Sequence, residues 1–117
     1  MIIEETMVNC LLEAAIEGVG ESVYCETQIS PPDEYILIER TAGSETDHLR
    51  AAMIAVQSIS TESLYRAAEI NEAAVDTLLA FGEESTEVFS CRLNSNYNYT
   101  NPTTKEYRYQ AVFDIRY

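Results

Sequence analysis

The chain is poor in the residues that most chemistry needs. Its 117 residues include no tryptophan, one histidine, three prolines, four glycines and three cysteines. With a single histidine, any Ser–His–acid or Cys–His arrangement must use His48, which sits among Glu45, Asp47 and Arg50 and reads as a solvated surface residue. Among the glycines, Gly18-Val19-Gly20 lacks both the third glycine and the following base of a phosphate-cradling loop. Cys10, Cys25 and Cys91 are odd in number and show no CxxC or CxxH spacing, so a disulfide framework and a zinc site are both disfavoured. They read as reduced thiols buried as small hydrophobes. No apolar run reaches the roughly 18–20 residues of a membrane helix. The first residues lack a basic region and are interrupted by Glu4, Glu5, Asn9 and Glu13, unlike a signal peptide, which suggests a cytoplasmic protein.

Bases are also scarce. Seven Lys and Arg stand against twenty Asp and Glu, for a net charge of −13. The excess is lopsided, because Arg40 is the single base in the first 49 residues. Such a surface repels DNA phosphates and anionic lipid, which disfavours ordinary nucleic-acid or membrane binding. It reads as a solubility-favouring surface, as one along which nucleic acid passes without sticking, or as one that imitates nucleic acid. The apolar fraction of 46% is that of a globular chain, and the length suits one domain spanning 1–117.

Periodicity orders the chain. Val8, Leu11, Leu12, Ala15 and Ile16 predict a helix over 4–18, stopped by Gly18 and Gly20. Ser22–Thr27 is short and β-rich, and Tyr35–Ile38 is an apolar run that suits a strand covered on both faces. Thr41–Asp47 is polar and predicts an exposed connector. Arg50–Ser60 fits a helix or a strand, and Ile54, Val56 and Ile59 favour the strand. Ser60 or Thr61 then caps a helix to about Phe81, with Glu62 in its first turn and Gly82 at its end. Its face is Leu64, Ala67, Ala68, Asn71, Ala74, Val75 and Leu78. Glu87–Asn94 alternates with Phe89, Cys91 and Leu93 on one side. Tyr107, Tyr109, Ala111, Phe113, Ile115 and Tyr117 alternate with polar partners, which predicts a half-covered antiparallel strand. The expected fold is α+β: a mixed or antiparallel sheet of about five strands with two helices packed on one face, in the order α-β-β-β-α-β-β.

Tyrosine is the one enriched aromatic. Of eight, Tyr97 and Tyr99 fall in the polar tip Ser95–Lys105, beyond the reach of a core, and suit a contact role. With Asn101 they form one candidate contact group. Arg40, Thr41, Gly43, Glu45 and Asp47 form the other. Arg40 ends the apolar strand and is read in two ways, as a bidentate partner for a neighbouring subunit's carboxylate or as one half of an internal ion pair.

The string Tyr35-Ile-Leu-Ile-Glu-Arg-Thr-Ala-Gly43, with Ala55-Val-Gln-Ser-Ile59, the alanine-rich helix around Leu64–Leu79, Asn101-Pro102 and the closing Tyr107-Arg-Tyr109…Val112–Tyr117 segment, resembles the tail terminator (tail completion) family of long-tailed bacteriophages and prophages. Ala42 stands where that family often has glycine. The resemblance runs in order along the whole chain. It implies a non-enzymatic assembly protein without cofactor or metal. Its partners would be the tail tube protein, the head–tail connector protein and further copies of itself, monomeric in solution and a sixfold ring on the tube. DNA would pass through the lumen without specific binding. It implies assembly in the bacterial host cytoplasm and residence in the virion tail. A neck or head-closure component of the same virion and an acidic DNA-mimicking inhibitor are the alternatives.

Overall fold

The computed structural model describes residues 2–46, 49–104 and 106–117. Its elements are α1 (Ile3–Ala14), β1 (Val23–Tyr24), β2 (Glu34–Thr46), β3 (Leu49–Ser60), α2 (Leu64–Glu84), β4 (Ser90–Asn98) and β5 (Tyr107–Arg116). The strands form one sheet in the order β1-β2-β3-β5-β4. β1 runs parallel to β2, through Val23 opposite Ile36 and Tyr24 opposite Leu37, and every other pairing is antiparallel. Both helices pack on one face, as the patterning predicts. Alternation places Ile36, Ile38, Ile54, Val56, Ala111, Phe113 and Ile115 beneath them, all buried, against Ile3, Met7 and Leu11 of α1 and Ile70, Ala74 and Leu78 of α2. Each such large side chain contributes roughly 1.5–3 kcal/mol by leaving water.

Several boundaries differ from the expectation for physical reasons. α1 stops at Ala14, because Ala15 takes the left-handed conformation (φ 47°) and its N–H donates to the Leu12 carbonyl at 3.2 Å. Only Val23 and Tyr24 of the segment 22–27 pair as a strand. Thr41–Thr46 is no connector but the far half of β2, its backbone paired with Leu49–Met53 across a bulge between Arg40 and Ala42. Its residues Thr41–Glu45 are exposed, which suits their polarity. The cap of α2 is Ser63, whose hydroxyl accepts from the Arg66 N–H at 3.1 Å, so Glu62 precedes the helix. Leu64, expected on the buried face, is partly exposed, and Ile70 takes a core position. Gly82 lies inside the last turn rather than beyond it. A Cβ there would come within 2.5 Å of the Cys91 Cβ, so the glycine lets the helix lie against β4. Val88 is buried and Phe89 is exposed, the reverse of the expected alternation. The Ser85 hydroxyl accepts from the N–H groups of Glu87 and Val88, folding a turn before the strand begins at Ser90.

One polar cluster ties the elements together. Arg66 grips Glu34 bidentately, Nε to Oε2 at 2.9 Å and Nη2 to Oε1 at 2.8 Å. Arg66 Nη2 also donates to the Glu17 carbonyl at 3.1 Å, and the Ser60 hydroxyl donates to Glu34 Oε2 at 2.9 Å. Gly18 (φ +85°) makes room: a Cβ there would lie 2.2 Å from Glu34 Oε1 and 2.4 Å from Arg66 Nη2. The Arg66 hydrogen bonds hold the Glu34 carboxyl below its ordinary pKa, against the opposing effect of burial. A depressed folded-state pKa gives stability that is complete above the unfolded carboxylate value and is lost as pH falls through the folded one. Arg66→Ala is therefore expected to cost about 2 kcal/mol in urea denaturation at pH 7, because it leaves the half-buried Glu34 carboxylate with the Ser60 hydroxyl but no counter-charge. The deficit against the unsubstituted protein should shrink as pH drops below the ordinary carboxylate range.

The thiols divide by environment. Cys25 is exposed, which corrects the expectation of three buried cysteines, and Cys10 and Cys91 are half-buried. Burial, and then the neighbouring Cys10, push the Cys91 thiol up to about 11. In a thiol-reagent time course at pH 8, Cys25 should react first and Cys91 at least ~10-fold more slowly.

Candidate interaction surface

The face of the sheet turned away from the helices is lined by alternate residues of four strands. At its upper end Tyr35, Leu37 and Ile59 form a small buried cluster flanked by Tyr24. The Tyr35 hydroxyl donates to Glu106 at 3.2 Å, and burial, then the Glu106 charge, raise its pKa. Next comes a polar ladder across three strands. Arg108 Nη1 donates to Gln57 Oε1 at 2.6 Å, Gln57 Nε2 donates to Gln110 Oε1 at 2.9 Å, and Gln110 Nε2 donates to the Tyr97 hydroxyl. The register makes this possible, because Gln57 lies opposite Gln110 on β5 and Gln110 opposite Tyr97 on β4. Lower down, small residues leave a shallow depression of about 660 Å³ between Ala42, Ser44, Met53, Arg92, Asp114 and Arg116.

Charge is sorted between the two sides. The helices carry Glu4, Glu5, Glu13, Glu69, Glu72, Asp76, Glu83 and Glu84 against one base, Arg66, which is engaged by Glu34. The bare face carries Arg92, Arg108 and Arg116 among Glu39, Glu106 and Asp114. Acidity therefore belongs to the helical side.

The two candidate contact groups fall at opposite ends of the sheet. In the first, Arg40 Nη2 donates to Glu4 Oε1 at 2.8 Å and to the Tyr117 hydroxyl at 3.1 Å, so the internal pair is the one formed. Thr41 lies in the bulge and its hydroxyl donates to the Met53 carbonyl at 3.3 Å. Gly43 lies opposite Ala52 beside the arginine, and a Cβ there would make ordinary contact with Arg40 Nη1 at 3.4 Å. Glu45 pairs loosely with Arg50 at 3.7 Å. Asp47 and His48 lie outside the described residues. In the second group, Tyr97 belongs to β4 rather than to a loop, and it packs edge-to-face on Tyr99 with centroids 5.9 Å apart. Asn98 and Asn101 each accept from a threonine two residues on, closing two tight turns. Tyr97 and Tyr99 remain 40% and 52% exposed, enough to present contact area.

The glutamine ladder was not anticipated. The outward row Arg108, Gln110, Asp114, Arg116 is readable in the alternation of β5, but its partner Gln57 depends on the register. Phe89, 74% exposed just before β4, falls outside the alternation because the strand begins at Ser90 rather than at Glu87. Among the described residues, no helix is long and apolar enough to cross a membrane. Hydrogen-bonding groups and shape are what this surface offers, which suits contact with another macromolecule.

No protein-family model matches the chain, and no curated protein matches it. A chain in the solved virion of a native gene transfer agent particle has the same fold, with a TM-score of 0.69 at 16% identity over 97% of this chain and 90% of that one. At that identity the likeness concerns the fold.

The two polar features of this surface should differ in weight. Gln57→Ala strands Gln110 and Arg108 and is expected to cost about 1–3 kcal/mol in urea denaturation. Arg40→Ala, in a partly exposed pair, is expected to cost about 1 kcal/mol or less.

Proposed function

We propose that this chain is a non-enzymatic tail-assembly protein of a phage-like particle. It forms a ring on the head-proximal end of the tail tube, stops tube polymerisation and presents the surface that joins tail to head. The observation that carries this is the fold shared, over nearly the whole of both chains, with a component of a gene transfer agent virion. The sequence resemblance to tail terminators points the same way, and its segments fall on β2, β3, α2 and β5.

The geometry is compatible with such work. A cyclic ring needs two different surfaces on each subunit, one meeting the neighbour on either side. A tube cap needs further surfaces above and below. The Arg40–Glu45 end and the Tyr97–Asn101 end of the sheet lie on opposite edges and can supply the two sides of a contact between neighbouring copies, which leaves the remaining surfaces to the tail tube protein and the head–tail connector. The acidic helical side gives passing DNA nothing to bind. The protein assembles in the host cytoplasm and ends in the virion tail, with no part in a membrane.

Deletion of the gene from its particle tests this by negative-stain microscopy. Overlong tubes of variable length beside filled, tailless heads are expected. Tails of normal length that fail to join heads would assign the protein to the neck instead. Normal virions would overturn both assignments and favour an acidic inhibitor.

A further inference from the structure

We infer that copies of this chain join head to tail by strand pairing, the free edge of β4 in one copy against the lower edge of β2 in the next. This names the joint of the proposed ring and rests on that reading. Both ends of the sheet are open. β4 is an edge strand of 9 residues whose outer side pairs with no strand among the described residues. On the other edge, β1 covers β2 at Ile36 and Leu37, and the outer side of Glu39–Thr46 pairs with no strand among the described residues.

Edges of this length are normally protected by proline, lysine or a covering element, because they template pairing with another chain. Residues 39–46 and 90–98 contain neither proline nor lysine, and each edge carries a single bulge, between Arg40 and Ala42 and between Leu93 and Ser95. Their backbone donors have a definite direction. The Tyr99 N–H donates to the Arg108 carbonyl at 2.7 Å, so antiparallel alternation turns the amides of Tyr97 toward β5 and those of Asn96 and Asn98 outward.

Polarity and charge select the partner. Along the sheet β2, β3, β5 and β4 alternate in direction, so the two free edges run opposite to each other. A rotation about an axis along the strands then brings β4 of one copy antiparallel to β2 of the next, and the operation repeats until it closes. Pairing β4 with itself would leave Glu39–Thr46 open in every copy. On the bare face, Glu39 stands on one edge and Arg92 on the other, and neither has an ion-pair partner among the described residues. The joint brings these opposite charges to the same face of one continuous sheet.

Hydrogen–deuterium exchange on the free subunit and on the subunit bound to purified tail tubes tests this. Amides within 39–46 and 90–98 should slow at least ~10-fold on assembly, while those of β3 and β5 change little. Asn96→Pro removes an outward amide, and Asn96→Ala keeps it, while both lose the same hydrogen bond from Asn71. The proline variant should lose at least ~10-fold in assembly relative to the alanine variant. A ring that forms with both edges still exchanging freely, or with equal assembly of the two variants, overturns the strand joint and leaves the ring standing. Protection of 90–98 alone, in a closed dimer, overturns it in favour of β4 self-pairing. Absence of any assembly on tube ends overturns the joint and the ring together.

Discussion

The fold turns on the clasp between Arg66 and Glu34. A guanidinium and a carboxylate removed from most of their water cost several kcal/mol unless their hydrogen bonds are nearly all met. Here two bonds join them directly, and the Glu17 carbonyl and the Ser60 hydroxyl complete the set. Those four groups come from the turn after α1, the start of β2, the end of β3 and the first turn of α2. Satisfying them ties the chain leaving α1 to the first turn of α2 and to the adjoining ends of β2 and β3. Gly18 is part of the same constraint, because no other residue leaves room for the clasp at that backbone angle.

With the helices so placed, the chain covers one side of its sheet and leaves the other bare. The covered side takes the core and, on its outer surface, most of the acidic charge. On the bare side the middle of the sheet pairs its polar residues among themselves, through the ladder from Arg108 to Tyr97. A surface whose donors and acceptors already pair within the subunit is a weak site for ligand chemistry. The sheet edges differ, because their outward amides and carbonyls pair with no other strand among the described residues. That asymmetry fits a protein whose work is to be one member of a closed assembly.

Much of this was legible in the sequence. Period-two alternation in Tyr107–Tyr117 predicts β5 and its core face, the 3–4 spacing of alanine and leucine predicts α2, and the apolar run Tyr35–Ile38 predicts a strand whose side chains are all buried, although only Ile36 and Ile38 lie under the helices while Tyr35 and Leu37 bury each other with Ile59 on the bare side. These signals are strong because burial imposes them residue by residue. The element ends were less legible. Ser60, Thr61 and Ser63 are equally good caps in isolation, and the structure gives the cap to Ser63 while the Ser60 hydroxyl donates to Glu34 and accepts from the Glu62 N–H. Likewise, nothing local marks Thr41–Thr46 as strand, since its polar residues are held by pairing with β3 rather than by burial.

By itself the sequence determined the class of the fold, the order of its elements, the identity of most of its core and the sign of its charge, because each follows from composition or from a local period. Tertiary structure alone decided which polar residues meet. The register set Gln57 against Gln110, the clasp set Arg66 on Glu34 across 32 positions, and the strand order left two opposed edges free. Contacts of this kind depend on the relative placement of distant segments, and no local pattern in the chain encodes that placement.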